Sequence, residues 1–421
     1  MRAERFELAP GAVLFRYGGD DDAANRAAIA HAAQLRSAPG VLDAIPAARS
    51  TLVLHEPGAA LAEPVAGAAP PQGKRHVIRV LYFDEQIGRL HREARYRVAF
   101  IGFAPGFPYL TGLPEALRRP RLALPRTHTP PGSLAVADQY CGIYPADLPG
   151  GWELIGQTGV RLFDGERALL AAGDEVTFEA GDVEPPPARQ AARSELVGAP
   201  RFGLGHHGVP PGGAMDLGAL EEGNRVLGNP PHAPAMEVTL HGRELKLPRD
   251  AWVCASGAPL DGPLERGRPH FLRAGEALKL GKVRHGARSY VCIGSDAPPP
   301  RGEALAPFTT REVVLRVLRG PHVERFDFDA FLAGPWKLSP QCNRVGARLD
   351  GPKLKVRGEP ETPPEGNAPG AVQVPASGVP IILGPDRPVT GGYPKVATVL
   401  AEDLALLAQA RPGAAVRFVP A

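Results

Sequence analysis

PGSLAVADQYCGIYPADLPGGWELIGQT (131–158) and PGAVQVPASGVPIILGPDRPVTGGYPKVATV (369–399) are the two stretches whose reading decides the fold. Each opens Pro-Gly, runs as an alternating strand, turns at Gly and continues as an apolar strand. Each then passes through Asp and Pro to a Gly-Gly-aromatic step, Gly150-Gly151-Trp152 in one and Gly391-Gly392-Tyr393 in the other. Period-two runs bounded by turn residues mark short strands. Recurrence of whole strand–turn blocks in the same order predicts duplicated β domains. A shorter echo, GNRVLGN (223–229) against CNRVGAR (342–348), points the same way. Turn chemistry recurring by chance would not keep both order and spacing.

Composition agrees. Gly 50 and Pro 48 make 98 of 421 residues, about 23%, against roughly 12% in average usage. Long bundles and doubly wound sheets fit poorly, and many short strands fit well. Disorder is not expected of a chain that is 43% hydrophobic with a net charge of +3. Lys+Arg 48 against Asp+Glu 45 gives no basic excess for nucleic acid. Cys141, Cys254, Cys292 and Cys342 form no C-x-x-C pair, so neither zinc nor a redox dithiol is expected. No run of 18 apolar residues and no apolar signal core occur, which predicts a cytoplasmic protein without a membrane span. No Lys adjoins Met1, Met215 or Met236, so the chain carries no biotin of its own. There is no P-loop and no nucleophile elbow. GLGHHG (203–208) matches a dinucleotide fingerprint, but Pro210 and Pro211 block the helix that such a site needs.

Along the chain, residues 1–73 read as an α+β domain with a linker. Asp20–Asp22 cap a helix over about 22–38, two strands flank a Pro turn in VLDAIPAARSTLVLHE, and 58–73 have linker composition. Residues 74–185 form a β unit starting at HVIRVLYF, 184–194 a second linker, and 195–421 a further unit. In that unit Asp216 caps a helix that Gly228 ends.

The densest motif is GFAPGFPYL (102–110). Its prolines fix φ and its glycines let backbone approach a ligand. Phe103, Phe107 and Tyr109 supply an apolar wall, although a tightly packed surface loop would have the same composition. Arg121, Arg126 and Ser133 follow near turn prolines. Arg clamps carboxylates and phosphates, and more often simply forms a surface ion pair. His206 lies in a Gly/Pro loop and titrates near neutrality in its unperturbed state. Asn343, Arg344, Gln373, Asp386, Tyr393 and Lys395 complete a polar set near Gly turns.

These residues carry a resemblance. GFAPGFPYL through GGWELIGQT resembles the first allophanate-hydrolase-type subunit, a family that includes the small accessory subunit of bacterial 5-oxoprolinase and a sporulation-kinase inhibitor (KipI/KipA-like). HHGVPPGGAMD, NRVLGN, AMEVTLHG, NRVGARLDGP and EGNAPGAVQVPASGVPIILGPDRPVTGGYPKVATV resemble the second subunit of that type. The resemblance implies a natural fusion, mainly β, with a small α+β N-terminal domain and tandem cyclophilin-like β-barrels. It implies the accessory component of an ATP-dependent 5-oxoprolinase, opening 5-oxo-L-proline to L-glutamate with a separate LamB/YcsF-type subunit. The alternatives are a carboxyltransferase module of a urea carboxylase using biotin in trans, or a histidine-kinase regulator. The expected catalytic residues are His91, Arg126, His206, Asp216, Asn343, Arg344 and Tyr393. Those expected to bind substrate are Phe103, Gly106, Phe107, Tyr109, Ser133, Gly150, Gly151, Gln373, Gly391, Gly392 and Lys395. ATP is the expected co-substrate, no metal is expected, and self-association stays open. The site is expected between the two parts, because each alone offers an incomplete polar set and ligands favour domain interfaces.

Overall fold

The computed structural model describes residues 3–187, 196–300 and 305–421; most of the 184–194 linker lies outside them. Strands Ala3–Ala9, Ala12–Tyr17, Ser50–His55 and Val41–Pro46 form an antiparallel N-terminal sheet in that spatial order. The helix Asp21–Leu35 covers one face. Asp20 accepts a hydrogen bond from the Ala23 N–H at 2.8 Å, which satisfies one of the donors left free at a helix start. The helix ends three residues earlier than the spacing predicts. Its Ala24, Ala28, Ala32 and Leu35 pack on Val13, Phe15 and Val53. The other face, Leu8, Leu14, Ile45, Leu52 and Leu54, packs on Ala368 and Val389 from the far end of the chain. The small domain is therefore sandwiched, which is why its central strands have no polar face.

Residues 75–180 close into a seven-stranded barrel, and so do residues 313–420. The two share one topology. In the first, Ser133–Ala137 pairs with Tyr140–Ile143 and with Glu153–Gln157. In the second, Ala371–Gln373 pairs with Ile381–Leu383 and with Lys395–Val399. Each barrel is sealed by parallel pairing of its first and last strands, Arg75–Tyr82 with Glu175–Ala180 and Val313–Arg319 with Ala415–Pro420. Each Gly-Gly-aromatic step ends a two-stranded flap: Leu148–Gly150 pairs with Arg126–Thr129, and Thr390–Gly391 with Glu365–Gly366. The sequence echo is thus a repeat of barrel topology.

Between the barrels lies an open five-stranded sheet, Leu196–Val197, Ala235–Thr239, Arg288–Ile293, Ala251–Gly257 and His270–Leu272 in spatial order. The helix Leu217–Leu227 lies on it, capped by Asp216 and ended by Gly228 at φ 72 as the sequence predicts. Barrels were expected throughout 195–421; among the described residues this unit holds one. Leu220, Val226 and Leu227 pack on Cys254, Tyr290 and Cys292, so a helix, rather than further strands, covers this sheet face. GLGHHG forms a single tight turn at Gly205–His207 with no long helix after it.

Candidate functional site

The expected site residues fall into three junctions and one core position. The first junction is a cleft of about 920 Å³ where the N-terminal domain, the first barrel and the C-terminal barrel meet. GFAPGFPYL gives Tyr109 to one wall and packs behind it. Gly106, at φ 79, donates its N–H to the His207 carbonyl at 2.9 Å. Gly102 is needed for close approach, because a Cβ there would collide with Thr390 Oγ1 of the other barrel. Phe103 holds φ 63, a left-handed conformation that is costly for a bulky residue, with its ring edge-on to Phe107 at 5.4 Å. Phe107 and Tyr109 join Tyr140, Tyr144 and Trp152 in edge-to-face contacts with centroids 5.1–5.5 Å apart. Tyr109 and Trp152 reach the cleft; Phe107 lies beneath them as core.

Arg126 stands behind this wall. Its Nη1 donates to the Trp152 carbonyl at 2.7 Å, so it fixes the Gly-Gly-Trp step and does not line the cleft. Gly150 fits beneath the Tyr144 hydroxyl, and the Gly151 carbonyl accepts from the Leu122 N–H at 2.7 Å. Buried Ser133 serves the barrel turn, donating its N–H to the Pro130 carbonyl at 3.3 Å and accepting from the Tyr144 N–H at 3.0 Å. The opposite wall is Glu361–Pro364 with Gly392, whose carbonyl accepts from the Thr362 N–H at 2.7 Å.

The second junction is the Glu365–Gly366/Thr390–Gly391 flap against the N-terminal sheet. Glu365 is buried and lies 2.8 Å from Arg16 Nε, 3.5 Å from His322 Nε2 and 3.7 Å from Lys395 Nζ. Burial opposes its ionisation, but the Lys395 and Arg16 cations outweigh burial and hold the carboxyl below its usual range. Burial pulls the Lys395 ammonium down, partly offset by Glu365. His322 Nδ1 accepts the Lys395 N–H at 3.2 Å, and its Nε2 lies 3.1 Å from Arg16 Nη2 and 3.5 Å from Glu365. Burial pushes His322 down to about 3, so it stays neutral. Gln373 donates to Asn367 Oδ1 at 2.9 Å and Asn367 to the Pro388 carbonyl at 2.9 Å, with Gly391 packed on both amides. Tyr393 stands exposed beside the flap.

At the third junction Arg344 grips Asp386 with two hydrogen bonds of 2.8 and 2.9 Å, Glu237 at 2.9 Å and the Gly213 carbonyl at 2.7 Å. Glu237 also accepts from Tyr290 Oη at 2.8 Å. Asp216 caps its helix and accepts from Gln409 Nε2 at 2.7 Å. Asn343 accepts from the Val345 and Gly346 N–H groups at 2.8 and 3.2 Å, a turn contact. Arg344, Asp216 and Asn343, expected to be catalytic, are engaged by their own chain where the middle sheet joins the C-terminal barrel. They do not face the cleft.

His91 is a further correction. It is fully buried in the first barrel, 2.9 Å from Tyr82 Oη and 3.2 Å from Cys141 Sγ, stacked on Tyr96. Burial pushes it down to about 3. It is a core residue, because each ring nitrogen finds its partner inside the barrel. His206 is pushed down to about 3 by burial, then by Arg36 and His207, and is not a proton donor near neutrality. Its turn is held by buried Asp43, which accepts from the N–H groups of Gly203 and Gly205 at 3.2 and 2.8 Å. The 102–110 loop packs against 206–208 and against Thr390, just outside the expected 391–395, while Trp152 and Gly392 line the same cleft from different walls. Residues 343–344 lie elsewhere.

Sequence reasoning missed Arg16, Asp43, Glu237, Tyr290, His322 and Glu365. Glu237, inside AMEVTLHG, and Glu365, at the start of EGNAPGAVQV, lay within quoted motifs without being singled out. Among the described residues no group of His, Cys, Asp or Glu could hold a metal ion, and no helix is long and apolar enough to cross a membrane.

Paired barrels of one topology, joined through an aromatic loop and a glycine flap, define a tandem-barrel protein of the carboxyltransferase type. Residues 77–171 match the family described as carboxyltransferase domain, subdomain C and D. Residues 207–301 and 294–420 match carboxyltransferase domain, subdomain A and B. The chain belongs to this carboxyltransferase-domain family. It is 32% identical over 264 residues to a 5-oxoprolinase subunit of Escherichia coli (strain K12), covering 52% of this chain and 85% of that one. It is 50% identical over 103 residues to a different 5-oxoprolinase subunit, from Haemophilus influenzae, covering 24% of this chain and 48% of that protein, about half its length. Urea amidolyase of Lachancea kluyveri is 28% identical over 291 residues, 52% of this chain but 16% of that protein. The crystal structure of TTHA0988 superposes with a TM-score of 0.82 at 30% identity, covering 97% of this chain and 99% of that one.

Proposed function

We propose that the chain is the fused accessory component of an ATP-dependent 5-oxoprolinase, acting with a LamB/YcsF-type subunit to open 5-oxo-L-proline to L-glutamate. The observation that carries this reading is the union, in one chain, of segments similar to two different 5-oxoprolinase subunits. Their most chemistry-dense loops are packed together, Gly102 against Thr390 and Gly106 against His207.

A five-membered lactam is a stable amide with a poor leaving group. Transfer of a phosphoryl group to the amide oxygen makes the ring carbon electrophilic. Water adds to that carbon, the C–N bond breaks to free the amine and leave an acyl phosphate, and a second water releases phosphate and the carboxylate of glutamate. The protein must hold the substrate carboxylate, neutralise phosphate charge and exclude bulk water. The cleft offers arginines, an aromatic wall and a glycine-lined flap for these tasks.

The test is to co-purify the chain with the LamB/YcsF-type subunit and measure 5-oxoproline-dependent phosphate and glutamate. Release of both by the pair, and by neither alone, is the expected result. A second reading is a carboxyltransferase half-reaction using biotin on a carrier in trans, favoured by the urea amidolyase likeness. Biotin-dependent carboxylation of urea, with no 5-oxoproline turnover, would replace the first reading with the second.

A further inference from the structure

Arg118, Arg119 and Arg121 fall within one four-residue stretch, RRPR, where Pro120 fixes the chain. All three are exposed and all three line the cleft. Their charges are largely uncompensated. Arg119 donates only to the carbonyls of Ala116 and Arg118, at 3.0 and 2.8 Å. The carboxylate paired with Arg121 is Glu361, at 3.7 Å. Arg118 makes no side-chain hydrogen bond or ion pair among the described residues. The other arginines of the cleft are already committed, Arg49 to Asp21 at 2.9 Å and Arg97 to Asp22 at 2.5 Å. Asp138 is the remaining carboxylate of the lining.

The depth of the cleft has a different chemistry. Tyr109, Tyr140 and Trp152 line it yet are only 6–9% exposed. Exposed arginines at the mouth and buried aromatic rings below make one site with a cationic end, suited to a polyanion, and an apolar end. Guanidinium forks match phosphate oxygens in pairs. Aromatic rings accept a base through its π-face or edge. A volume of about 920 Å³ lies within the range of small-molecule sites.

We propose that this cleft binds a nucleoside triphosphate, with its phosphates on Arg118, Arg119 and Arg121 and its base against Tyr109, Tyr140 and Trp152. The proposal rests on the 5-oxoprolinase reading, which requires ATP without saying which subunit holds it. Because the phosphate contacts come from exposed side chains, affinity falls as salt rises.

The experiment titrates the intact chain with ATP, following binding heat and tryptophan fluorescence. Saturable binding with quenching is expected. Trp152→Phe should remove most of the quench while leaving measurable heat. The triple variant Arg118→Ala/Arg119→Ala/Arg121→Ala should weaken ATP at least 100-fold, since charged hydrogen bonds are each worth roughly tenfold or more. The corresponding triple lysine variant should recover part of that loss, and a melting curve shows whether each variant is folded. Inorganic triphosphate should compete, but more weakly than ATP. Equal affinity for inorganic triphosphate overturns the base contact. Absence of ATP binding, or binding unchanged in the triple variant, overturns the site. If the chain binds no ATP yet the complex with its partner turns over 5-oxoproline, the cleft proposal falls and the function stands. If ATP binds through these arginines but the complex releases no 5-oxoproline-dependent phosphate, the function falls and the site stands.

Discussion

Replacing Glu365 by Gln removes one charge from a buried quartet and keeps its shape. Lys395 Nζ lies 3.7 Å away and its side chain is 1% exposed, against 6% for Glu365. At an effective dielectric of about 20, two unit charges at that distance attract by about 4.5 kcal/mol. Arg16, at 2.8 Å but with 27% of its side chain exposed, keeps part of its hydration and loses less. Breaking a buried pair from one side costs roughly 3–5 kcal/mol, because the other charge is left without compensation. Glu365→Gln should therefore destabilise the C-terminal barrel by about 3–5 kcal/mol. Glu365→Gln/Lys395→Met should recover most of that loss, since no buried charge is then stranded. The assay is denaturant unfolding followed through Trp336, which is buried in that barrel's core. A pH series adds a sign test. The Glu365 carboxyl is held below its ordinary value of 4.5, so its stabilisation is full above that value and fades as pH falls through the lower folded value. The variant should lack this acid-side loss. Equal destabilisation of the single and double variants, or a cost below about 0.5 kcal/mol as for a surface substitution, would refute the reasoning.

Arg344→Ala removes the cation that Glu237 and Asp386 share but leaves Glu237 beside Arg288 at 3.6 Å, so it should cost about 1–3 kcal/mol, read as loss of folded protein in a melt rather than as a change in kcat alone. Gly102→Ala should loosen the contact between the barrels and lower activity of the reconstituted complex. Thr390→Ala in the same chain should restore much of it, and an unrescued double variant would show that the contact does not matter. Because His91 is core, His91→Phe should leave the shape of the pH–rate profile unchanged in whatever folded protein remains; a shifted limb would return His91 to the chemistry.

Much of the fold was legible because its determinants are local. Turn prolines and glycines, period-two strands and the Asp20 and Asp216 caps each act within a few residues. The repeat was legible because both barrels reuse one order of turns. The site was legible only in part. Tyr109, Trp152 and Gly392 line one cleft because glycine-rich loops that carry aromatics gather at barrel ends. His91 and Phe107 look reactive or exposed in sequence, but their neighbours Tyr96, Phe178 and Trp152 enclose them. Arg344 reads as an anion clamp, and its anions turn out to be Glu237, 107 residues away, and Asp386, 42 away. Arg16 and Glu365 are separated by 349 residues, a distance at which no local pattern carries information.

The parallel seam in each barrel sets when that barrel can exist. Glu175–Ala180 lies beside Arg75–Tyr82, so the first barrel stays open until its last strand has left the ribosome. Until then the edges of Arg75–Tyr82 and Tyr96–Ile101 that the last strand occupies are unpaired, and open edges invite pairing with other chains. The second barrel repeats the problem, because its closing strand, Ala415–Pro420, follows every other strand of that barrel. A chain cut just before residue 415 would lose the stave that shuts this barrel, along with the firmness of the wall on which the N-terminal sheet rests. Closure of each barrel thus waits on its last strand.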